Sequence, residues 1–569
     1  MFRVVCRRLS SAVSYSYTHN ASDTPLINKT VGQILRETAE AVPDRPYLVV
    51  SHQNLRKSFA DFLTESEKCA AGLLALGVGK GDRVGIWATN DYEWVVTQFA
   101  TALAGMILVN INPGYKPEEL EYCLKKVKNM VASRSFKTQD YYQMLCSICP
   151  ELIDSRSERL ESKKFPDLKN IIFLGDEKPS GTLTYSELLN AGDTSSQQRL
   201  IEIERTIQTD DPVNIQFTSG TTGAPKGATL SHHNIVNNAY FIGKRIGFDE
   251  QPHTLVCGPP LYHCFGCVAG SLGMVVHQGT CVLASPTFKA LPTLEAIHKE
   301  KCTAVFGTPT MFIDMLCQPK FKEFQYDSLI TGLMSGAPCP IETCRQLVDQ
   351  MNLSQLMLAY GSTECSPVIC QQFRGKPITE RIDSVGPPLD HVEVKLTDPQ
   401  GRIVPLGERG EVCVRGYLIF LGYWQEEHKT REVVTADRWY TTGDIGVMAG
   451  DGDVSIVGRM KDMVIRGGEN LYPREIEEII HQHPSVDDVH VVGVPDSRMG
   501  EELCAWVRIK PAEQLKEEGL REFCKQKMAH FKIPKYILFK TEEQFPITVT
   551  GKIQKFKIRE IAIEELGLN

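Results

Sequence analysis

Residues 218–227, TSGTTGAPKG, combine glycines, hydroxyl side chains and a single lysine. Glycine lets backbone N–H groups turn inward without a Cβ clash, and serine and threonine hydroxyls supply further donors. The Lys226 ammonium adds a positive charge. A loop of this composition is suited to holding phosphate groups. The spacing is not that of a Walker A loop, so the segment predicts phosphate binding without indicating which phosphate.

The candidate phosphate-binding residues are Thr218, Ser219, Gly220, Thr221, Thr222, Gly223, Ala224, Pro225 and Lys226. The preceding residues 213–217, VNIQF, alternate apolar and polar side chains and predict a short strand. After the loop, Ser231 is placed to cap a helix. The alternative is a mobile surface linker, which a single lysine among hydroxyls between a strand and a capped helix disfavours.

Two other short polar segments carry carboxylates. In residues 360–364, YGSTE, Glu364 is a candidate Mg²⁺ ligand or orienting carboxylate, and Thr363 is a candidate phosphate donor. In residues 440–444, YTTGD, Asp444 follows a glycine turn and can accept hydrogen bonds from both hydroxyls of a ribose. Each segment alone is also compatible with a surface turn. Lys552, on a turn near the C-terminus, is by itself most simply a solvated charge.

The elements that must position these groups follow an alternating pattern. Strand patterns at 83–87 and 106–110 enclose a helical pattern at 92–103. Strand, helix and strand joined by short turns indicate a parallel sheet with helices on its faces. Beyond residue 459 the pattern changes to a helix that starts at Pro473, two strands, a further helix and a strand. We therefore predict an α/β fold: a large N-terminal domain with parallel-rich sheets flanked by helices, and a small α+β C-terminal domain.

Composition limits the function classes. The chain has 569 residues, 42% of them hydrophobic and 23% charged, and a net charge of −8. This acidic balance, without a basic cluster interleaved with aromatics, disfavours nucleic-acid binding. No apolar run in the sequence approaches the roughly 20 residues of a transmembrane helix. The 18 scattered cysteines predict reduced thiols, and core packing explains the two CxxC pairs more simply than zinc does.

The segment 1–22 differs from the rest of the chain. Drawn as a helix, it places Phe2, Val5 and Leu9 on one face and arginines and serines on the other, and no acidic residue precedes Asp23. This pattern is typical of a mitochondrial transit peptide, so we expect a location in the mitochondrial matrix. The alternative is a disordered tail without a targeting role.

Seven motifs occur in one order along the chain: TSGTTGAPKG, YGSTE, GEVCVRG, YTTGD, GRMKD, RGGEN and TGK. Together they resemble the adenylate-forming superfamily, which includes acyl-CoA synthetases, aryl-CoA ligases, luciferases and the adenylation domains of peptide synthetases. The resemblance covers residues 30–569. Within it, stretches such as NIQFTSGTTGAPKGATLSH and RGGENLYP are most similar to mitochondrial medium-chain acyl-CoA synthetases.

The resemblance implies two half-reactions that use ATP, Mg²⁺ and CoA. A medium-chain fatty acid attacks the α-phosphate of ATP, and the CoA thiol then displaces AMP from the acyl-adenylate. Lys552 is expected to bridge the acid and the α-phosphate, and residues 218–226 to hold the β- and γ-phosphates. Glu364 is expected to bind Mg²⁺, Asp444 the ribose hydroxyls, and Arg459 the nucleotide.

The resemblance also implies a moving C-terminal domain. The expected limits are 30–458 for the N-terminal adenylation domain, 459–461 for a hinge that contains Lys461, and 462–569 for a mobile C-terminal domain. The expected CoA-side loop comprises Arg466, Gly467 and Gly468. The catalytic set is Lys552, Glu364, Thr363 and His263, and the implied lining of the acyl pocket is His263, Phe265, Val268, Thr308, Ala337 and Val368.

Three alternatives remain open at the level of the sequence. The acid substrate could be long-chain or aryl, with the same fold and mechanism. The adenylate could be oxygenated, as in luciferases, although the CoA-side loop and the mitochondrial-type start disfavour this. A non-catalytic fatty-acid-binding relative is disfavoured because it would have no need for a charge placed for a transition state. We expect small-molecule partners, and the sequence does not indicate an oligomeric state.

Overall fold

The computed structural model describes residues 14–156, 159–218, 225–337, 339–382, 384–467, 469–511, 513–548 and 553–568. Its internal contacts divide the chain into two compact units. The large unit comprises Asn20–Val392 and Arg415–Tyr440, and the small unit comprises the described parts of Met1–His19, Glu393–Val414 and Thr441–Asn569. The small unit is thus assembled from three separate stretches of chain. The limits 30–458 and 462–569 stay a prediction.

The first sheet of the large unit carries the predicted phosphate-binding segment. Its eight described strands lie in the order Leu183–Thr184, Asn170–Phe173, Asn129–Ala132, Arg83–Trp87, Ile107–Asn110, Pro212–Thr218, Lys226–Ser231 and Gly422–Tyr423. The first six pair in parallel, and the last two are antiparallel to their neighbours. The predicted strand at 83–87 and helix at 92–103 are confirmed, and the parallel sheet follows from their alternation.

The second sheet of the large unit carries the YGSTE segment at the end of one strand. Its described strands lie in the order Val368–Gln371, Gln355–Gly361, Thr331–Met334, Ala304–Gly307, Thr254–Cys257, Thr280–Leu283, Pro46–Val50 and Leu55–Ser58. The six central strands pair in parallel, which is expected where apolar strands are covered on both faces. A short hairpin, Ser135–Phe136 with Gln139–Asp140, lies apart from both sheets.

Helices flank these sheets. The helices of the large unit are Val31–Ala41, Phe59–Ala75, Tyr92–Leu103, Pro117–Leu124, Tyr141–Ile148, Tyr185–Ala191, Thr194–Glu204, His232–Ile246, Gly273–Val276, Ala290–Glu300, Pro309–Leu316, Ile341–Met351, Ile378–Arg381 and Glu427–Val433, with a π-helix at Phe265–Leu272. Apolar side chains from helices and strands form contiguous buried clusters on the faces of the sheets. This burial is the main stabilising contribution to the fold of the large unit.

The small unit contains a five-stranded sheet that begins near the N-terminus. Its described strands lie in the order Tyr17–His19, Val392–Thr397, Arg409–Gly416, Tyr440–Met448 and Val454–Arg459. The edge strand Tyr17–His19 is antiparallel to Val392–Thr397, and Ser16 beside it is fully buried. Residues 14–22 of the predicted transit peptide 1–22 therefore include this strand. Residues 1–13 lie outside the described part of the chain.

The rest of the small unit is the predicted α+β segment. Its strands Glu469–Leu471, Val464–Arg466, Gly500–Ile509, Val486–Asp496 and Tyr536–Phe539 form one sheet. Its helices are Pro473–Ile480, Glu517–Lys527 and Lys555–Leu566. The helix predicted from Pro473 is confirmed. Proline is favourable at the first helical position, where a backbone N–H would have no partner inside the helix. None of the helices in the described part of the chain has the length and apolarity that crossing a bilayer requires.

Candidate active site

The predicted phosphate-binding segment lies between two antiparallel strands. Thr218 ends one strand, Lys226 begins the next, and the two residues are directly paired. Pro225, beside Lys226, is half-buried, while Ser219, Gly220, Thr221, Thr222, Gly223 and Ala224 lie outside the described residues. The predicted strand before the loop is confirmed. The sequence analysis did not predict the second strand, which residues 226–231 (KGATLS) form between the loop and the helix.

The helix predicted after the loop begins at His232, and its predicted cap is confirmed. The Ser231 hydroxyl accepts a hydrogen bond from the Asn234 N–H at 3.2 Å. This capping bond satisfies an N–H group that has no partner inside the helix. The positive end of this helix dipole is therefore separated from the loop by the strand Lys226–Ser231.

Glu364 lies in a turn at the end of a central strand. The strand Gln355–Gly361 leads into a 3₁₀ turn, Thr363–Cys365, and Glu364 is 8% exposed. Its backbone carbonyl accepts a hydrogen bond from the Phe420 N–H at 2.9 Å. Its carboxylate Oε1 accepts a hydrogen bond from the Tyr423 hydroxyl, also at 2.9 Å. Both ends of the residue are thus held by the segment around residues 420–423.

Tyr423 is a candidate site residue that the sequence reasoning did not identify. It lies on the edge strand Gly422–Tyr423, opposite Ala228 of the strand that begins at Lys226. The Lys226 ammonium nitrogen lies 5.0 Å from the centre of the Tyr423 ring. Burial and the Glu364 charge raise the pKa of Tyr423, so its hydroxyl stays protonated and donates at neutral pH. The local signal, GYW after an apolar stretch, predicts only a strand and could not reveal the contact with Glu364.

The predicted residues His263 and Thr363 lie in neighbouring segments. Cys264, next to His263, has its sulfur 3.8 Å from the Thr363 hydroxyl oxygen. The Nδ1 atom of His263 accepts a hydrogen bond from the Phe265 N–H at 3.1 Å. Three of the four predicted catalytic residues, His263, Thr363 and Glu364, therefore lie in two segments that contact each other.

Two of the implied acyl pocket residues lie on a π-helix. Phe265 and Val268 belong to the π-helix Phe265–Leu272, and both are buried. Thr308 and Val368 are buried as well, and Ala337 is half-buried. The π-helix has a wider turn than an α-helix and occurs frequently at functional sites. The apolar character of this region is consistent with an aliphatic or aromatic group.

The donor chemistry of the turn fits a magnesium ion that arrives with a nucleotide. Within the described residues, no group of three or more His, Cys, Asp and Glu side chains is placed to hold a metal ion. Glu364 is a buried carboxylate and makes no ion pair with a described basic side chain. Mg²⁺ is commonly held by one or two carboxylates together with substrate phosphates and water, rather than by a cage of protein ligands.

In the small unit, Asp444 and Arg459 form a pair. They are directly opposite each other on the strands Tyr440–Met448 and Val454–Arg459, and Arg459 Nε lies 3.2 Å from Asp444 Oδ1. Asp444 is 6% exposed. The glycine before it, Gly443, has a φ of +73°, and its N–H donates to Glu411 at 3.2 Å. The glycine turn predicted before the carboxylate is therefore present and is fixed by a second carboxylate.

The predicted hinge and CoA-side residues also belong to the small unit. Lys461 lies in the 3₁₀ turn Met460–Asp462, and desolvation together with the Arg459 charge lowers its pKa. Arg466 Nε lies 2.6 Å from the buried carboxylate of Glu502. Gly467 has a φ of +58°, which favours glycine, and its N–H donates to Met499 O at 2.8 Å. Gly468 and Lys552 lie outside the described residues.

The large unit thus contains the phosphate loop ends, Glu364, Thr363 and His263, and the small unit contains Asp444, Arg459, Lys461 and Arg466. Two family patterns match the chain: the AMP-binding enzyme family over residues 35–424, and its C-terminal domain over residues 475–552. The chain therefore belongs to the AMP-binding enzyme family, which confirms the resemblance to adenylate-forming, ATP-using enzymes.

Relatives match nearly the whole chain. It is 47% identical to the mitochondrial medium-chain acyl-CoA ligase ACSF2 of Danio rerio, over 97% of this chain and 91% of the relative. It is 46% identical to the Homo sapiens protein of that name, over 100% of this chain and 93% of the relative. It is 40% identical to the putative acyl-CoA synthetase YngI of Bacillus subtilis, over 96% of this chain and 99% of the relative.

Solved structures share the fold. The anthranilate CoA ligase AuaEII in complex with anthranoyl-AMP matches with a TM-score of 0.83 at 26% identity, over 96% of this chain and 99% of that one. ATP-bound MatB from Rhodopseudomonas palustris matches with a TM-score of 0.79 at 25% identity, over 95% of this chain and 100% of that one. The predicted α/β class, with a large domain and a smaller C-terminal one, is confirmed.

Proposed function

We propose that this chain is an AMP-forming ligase that joins a medium-chain fatty acid to CoA through an acyl-adenylate. The observation that carries the proposal is that Tyr423 contacts two candidate functional groups: its ring faces the Lys226 ammonium, and its hydroxyl donates a hydrogen bond to Glu364. A cation and a carboxylate that both contact one side chain suit a polyphosphate with its counterion. The names of the relatives at 46–47% identity support the medium-chain acid.

In the first half-reaction, a carboxylate oxygen of the fatty acid attacks the α-phosphorus of ATP, and the bond to pyrophosphate breaks. The attack of one anion on another requires positive groups and hydrogen-bond donors around the reacting phosphate. Lys552 would neutralise the acid and the α-phosphate, while Thr218, Lys226 and the loop between them would hold the β- and γ-phosphates. Bound through Glu364 and the phosphates, Mg²⁺ would supply further charge neutralisation.

Asp444 would hold the nucleotide by accepting hydrogen bonds from the two ribose hydroxyls. Its pairing with Arg459 supports this role, because the guanidinium fixes the position of the carboxylate. Arg459 would also stand near the nucleotide that Asp444 holds.

In the second half-reaction, the CoA sulfur attacks the acyl carbon, the bond to AMP breaks, and the thiol proton passes to solvent. Arg466, Gly467 and Gly468 would form the CoA side of the site, with Lys461 as the hinge for the change between half-reactions. The ion pair of Arg466 with Glu502 supports a role for Arg466 in holding the shape of this loop. The acid-free N-terminal pattern and the names of the relatives support a mitochondrial location.

The test is AMP release from ATP with acetate, hexanoate, octanoate, palmitate or benzoate, each with and without CoA. We expect the highest turnover with hexanoate or octanoate, and we expect sustained turnover to require CoA. AMP release that is maximal with palmitate would replace the medium-chain assignment and keep the ligase. The absence of AMP with all five acids, in a chain that still binds ATP, would contradict the proposed function.

A second candidate is an aryl-CoA ligase. The observation that favours it is the match to the anthranilate CoA ligase at a TM-score of 0.83, which is higher than the 0.79 of MatB. The stacked rings of Phe265 and Phe306, with centres 5.7 Å apart, would also suit an aromatic acid. The benzoate arm of the same experiment separates the two candidates, because an aryl ligase would turn over benzoate faster than octanoate.

A further inference from the structure

We infer that Tyr423 is a positioning residue, which fixes the Glu364 carboxylate and the Lys226 ammonium relative to each other for the binding of metal and nucleotide. The inference rests on the proposed function in one respect, the role of Glu364 as a magnesium ligand. It concerns a residue outside the seven motifs, on an edge strand of two residues.

The two contacts of the side chain point to different functional groups. The hydroxyl donates to Glu364 Oε1 at 2.9 Å, and the ring face lies 5.0 Å from the Lys226 ammonium nitrogen. The hydrogen bond restricts the rotation of the carboxylate and leaves its second oxygen for a cation. The cation–π contact restricts the flexible lysine side chain without neutralising its charge. One tyrosine thereby limits the positions of both groups.

Tyr423 can serve this purpose because its own position is fixed. Its backbone pairs with Ala228 in the sheet, and its N–H donates to the Thr430 hydroxyl at 2.9 Å. The next residue, Trp424, donates its N–H to Gly227 O at 2.8 Å. The ring packs edge-on against Phe420, whose N–H in turn donates to the Glu364 carbonyl. The strand that carries Lys226 and the turn that carries Glu364 are therefore both tied to residues 420–424.

Groups that orient a metal-binding carboxylate contribute to metal affinity although they do not touch the metal, and their removal typically weakens affinity or activity by about 10–100-fold. Tyr423→Phe is the direct test, because it removes the hydroxyl and keeps the ring under Lys226. We expect the affinity for Mn²⁺, used as the probe, to fall by about 10–100-fold in enzyme saturated with α,β-methylene-ATP. Electron paramagnetic resonance of Mn²⁺ measures this without any acid substrate or turnover.

A kinetic measurement should show that the variant changes the metal dependence of adenylation and not its maximal rate. In Tyr423→Phe the Mg²⁺ concentration for half-maximal adenylation should rise, and the rate at saturating Mg²⁺ should recover most of its wild-type value. A loss of packing alone would not be corrected by added metal. In a Glu364→Gln background, Tyr423→Phe should produce no further loss of Mn²⁺ affinity, because the two residues act through one carboxylate.

Tyr92→Phe is the matched control. The Tyr92 hydroxyl donates to Glu65 at 2.7 Å in the same unit, so this variant loses a hydrogen bond of the same kind. It should keep the wild-type Mn²⁺ affinity. Wild-type affinity in Tyr423→Phe, or an additive loss in the double variant, would overturn the inference. A lowered Mn²⁺ affinity in Tyr423→Phe, together with no AMP from any acid, would contradict the proposed function and leave the positioning role standing.

Discussion

The two carboxylates of the candidate site are held in opposite ways. Glu364, in the large unit, accepts a hydrogen bond from the neutral phenol of Tyr423. Asp444, in the small unit, is paired with the positive guanidinium of Arg459. Both are almost completely buried, with exposures of 8% and 6%. The two carboxylates therefore differ in the charge of the hydrogen-bonding partner and not in their burial.

This difference supports the two different ligands that we propose. A phenol orients a carboxylate without compensating its charge, so Glu364 keeps the full attraction for a cation. A guanidinium offsets part of the charge of Asp444 and orients it as an acceptor for neutral hydroxyl groups. The comparison therefore supports the proposed assignment of Glu364 to a cation and of Asp444 to a sugar.

The largest effect is expected for Glu364→Gln, which keeps the shape and the acceptor for Tyr423 and removes the charge. Because the lost charge is preorganised in a buried site, we expect adenylation to slow by about 10²–10³-fold. Pyrophosphate release with saturating ATP, octanoate and Mg²⁺ measures this step.

Glu426→Gln is the control for Glu364→Gln. Glu426 also accepts a hydrogen bond from a tyrosine hydroxyl, that of Tyr122, and lies three residues after Tyr423. Its replacement should change the rate only a few-fold. If the two variants slowed adenylation equally, the result would contradict the proposed role of Glu364 in binding the cation.

A smaller effect is expected for Asp444→Asn. It weakens the charge-assisted hydrogen bonds to the ribose and leaves Arg459 without its counter-charge, and bonds of this kind are worth about 1.5–3 kcal/mol, or roughly 10–100-fold in affinity. The Kd for ATP should rise by this factor, while Mn²⁺ affinity at saturating nucleotide stays unchanged. Asp451→Asn, an exposed carboxylate of the same unit, is the control. A variant that lost metal affinity instead would reverse the assignment of the two carboxylates.

Acid should weaken the large unit through His232, which begins the helix after the strand that carries Lys226. His232 is fully buried, its Nδ1 accepts a hydrogen bond from the Val31 N–H, and burial lowers its pKa to about 3. Below pH 6.5 the unfolded chain gains a proton at this residue that the folded chain does not. The free energy of unfolding should therefore fall by about 2 kcal/mol from this residue alone between pH 7 and pH 5.

His232→Asn keeps an acceptor near Nδ1 and does not titrate, so it isolates this contribution. Urea unfolding at pH 7 and pH 5 should show a loss about 2 kcal/mol smaller in the variant than in the wild type. Equal losses would show that His232 does not set the acid sensitivity of the large unit.

Regular periodicity was sufficient to predict much of the fold. The strand Arg83–Trp87 and the helix Tyr92–Leu103 occupy the predicted residues, because short turns and continuous apolar patterns leave few alternatives for them. The strand Lys226–Ser231 was missed, because a short polar stretch followed by a capping serine has the local features of a loop. It forms through pairing with Pro212–Thr218 and Gly422–Tyr423, and the second of these is almost 200 residues away in the chain.

The sequence by itself determined the family, through seven motifs that occur in one order, and it predicted site residues whose types suit phosphate, magnesium and ribose. The choice of partners was decided by tertiary structure. Arg459 is the partner of Asp444 because the register of two strands sets them opposite each other. Tyr423 is the partner of Glu364 because an edge strand and a turn 59 residues apart in sequence meet in the fold. Contacts of this kind depend on long-range pairing, which local patterns do not encode.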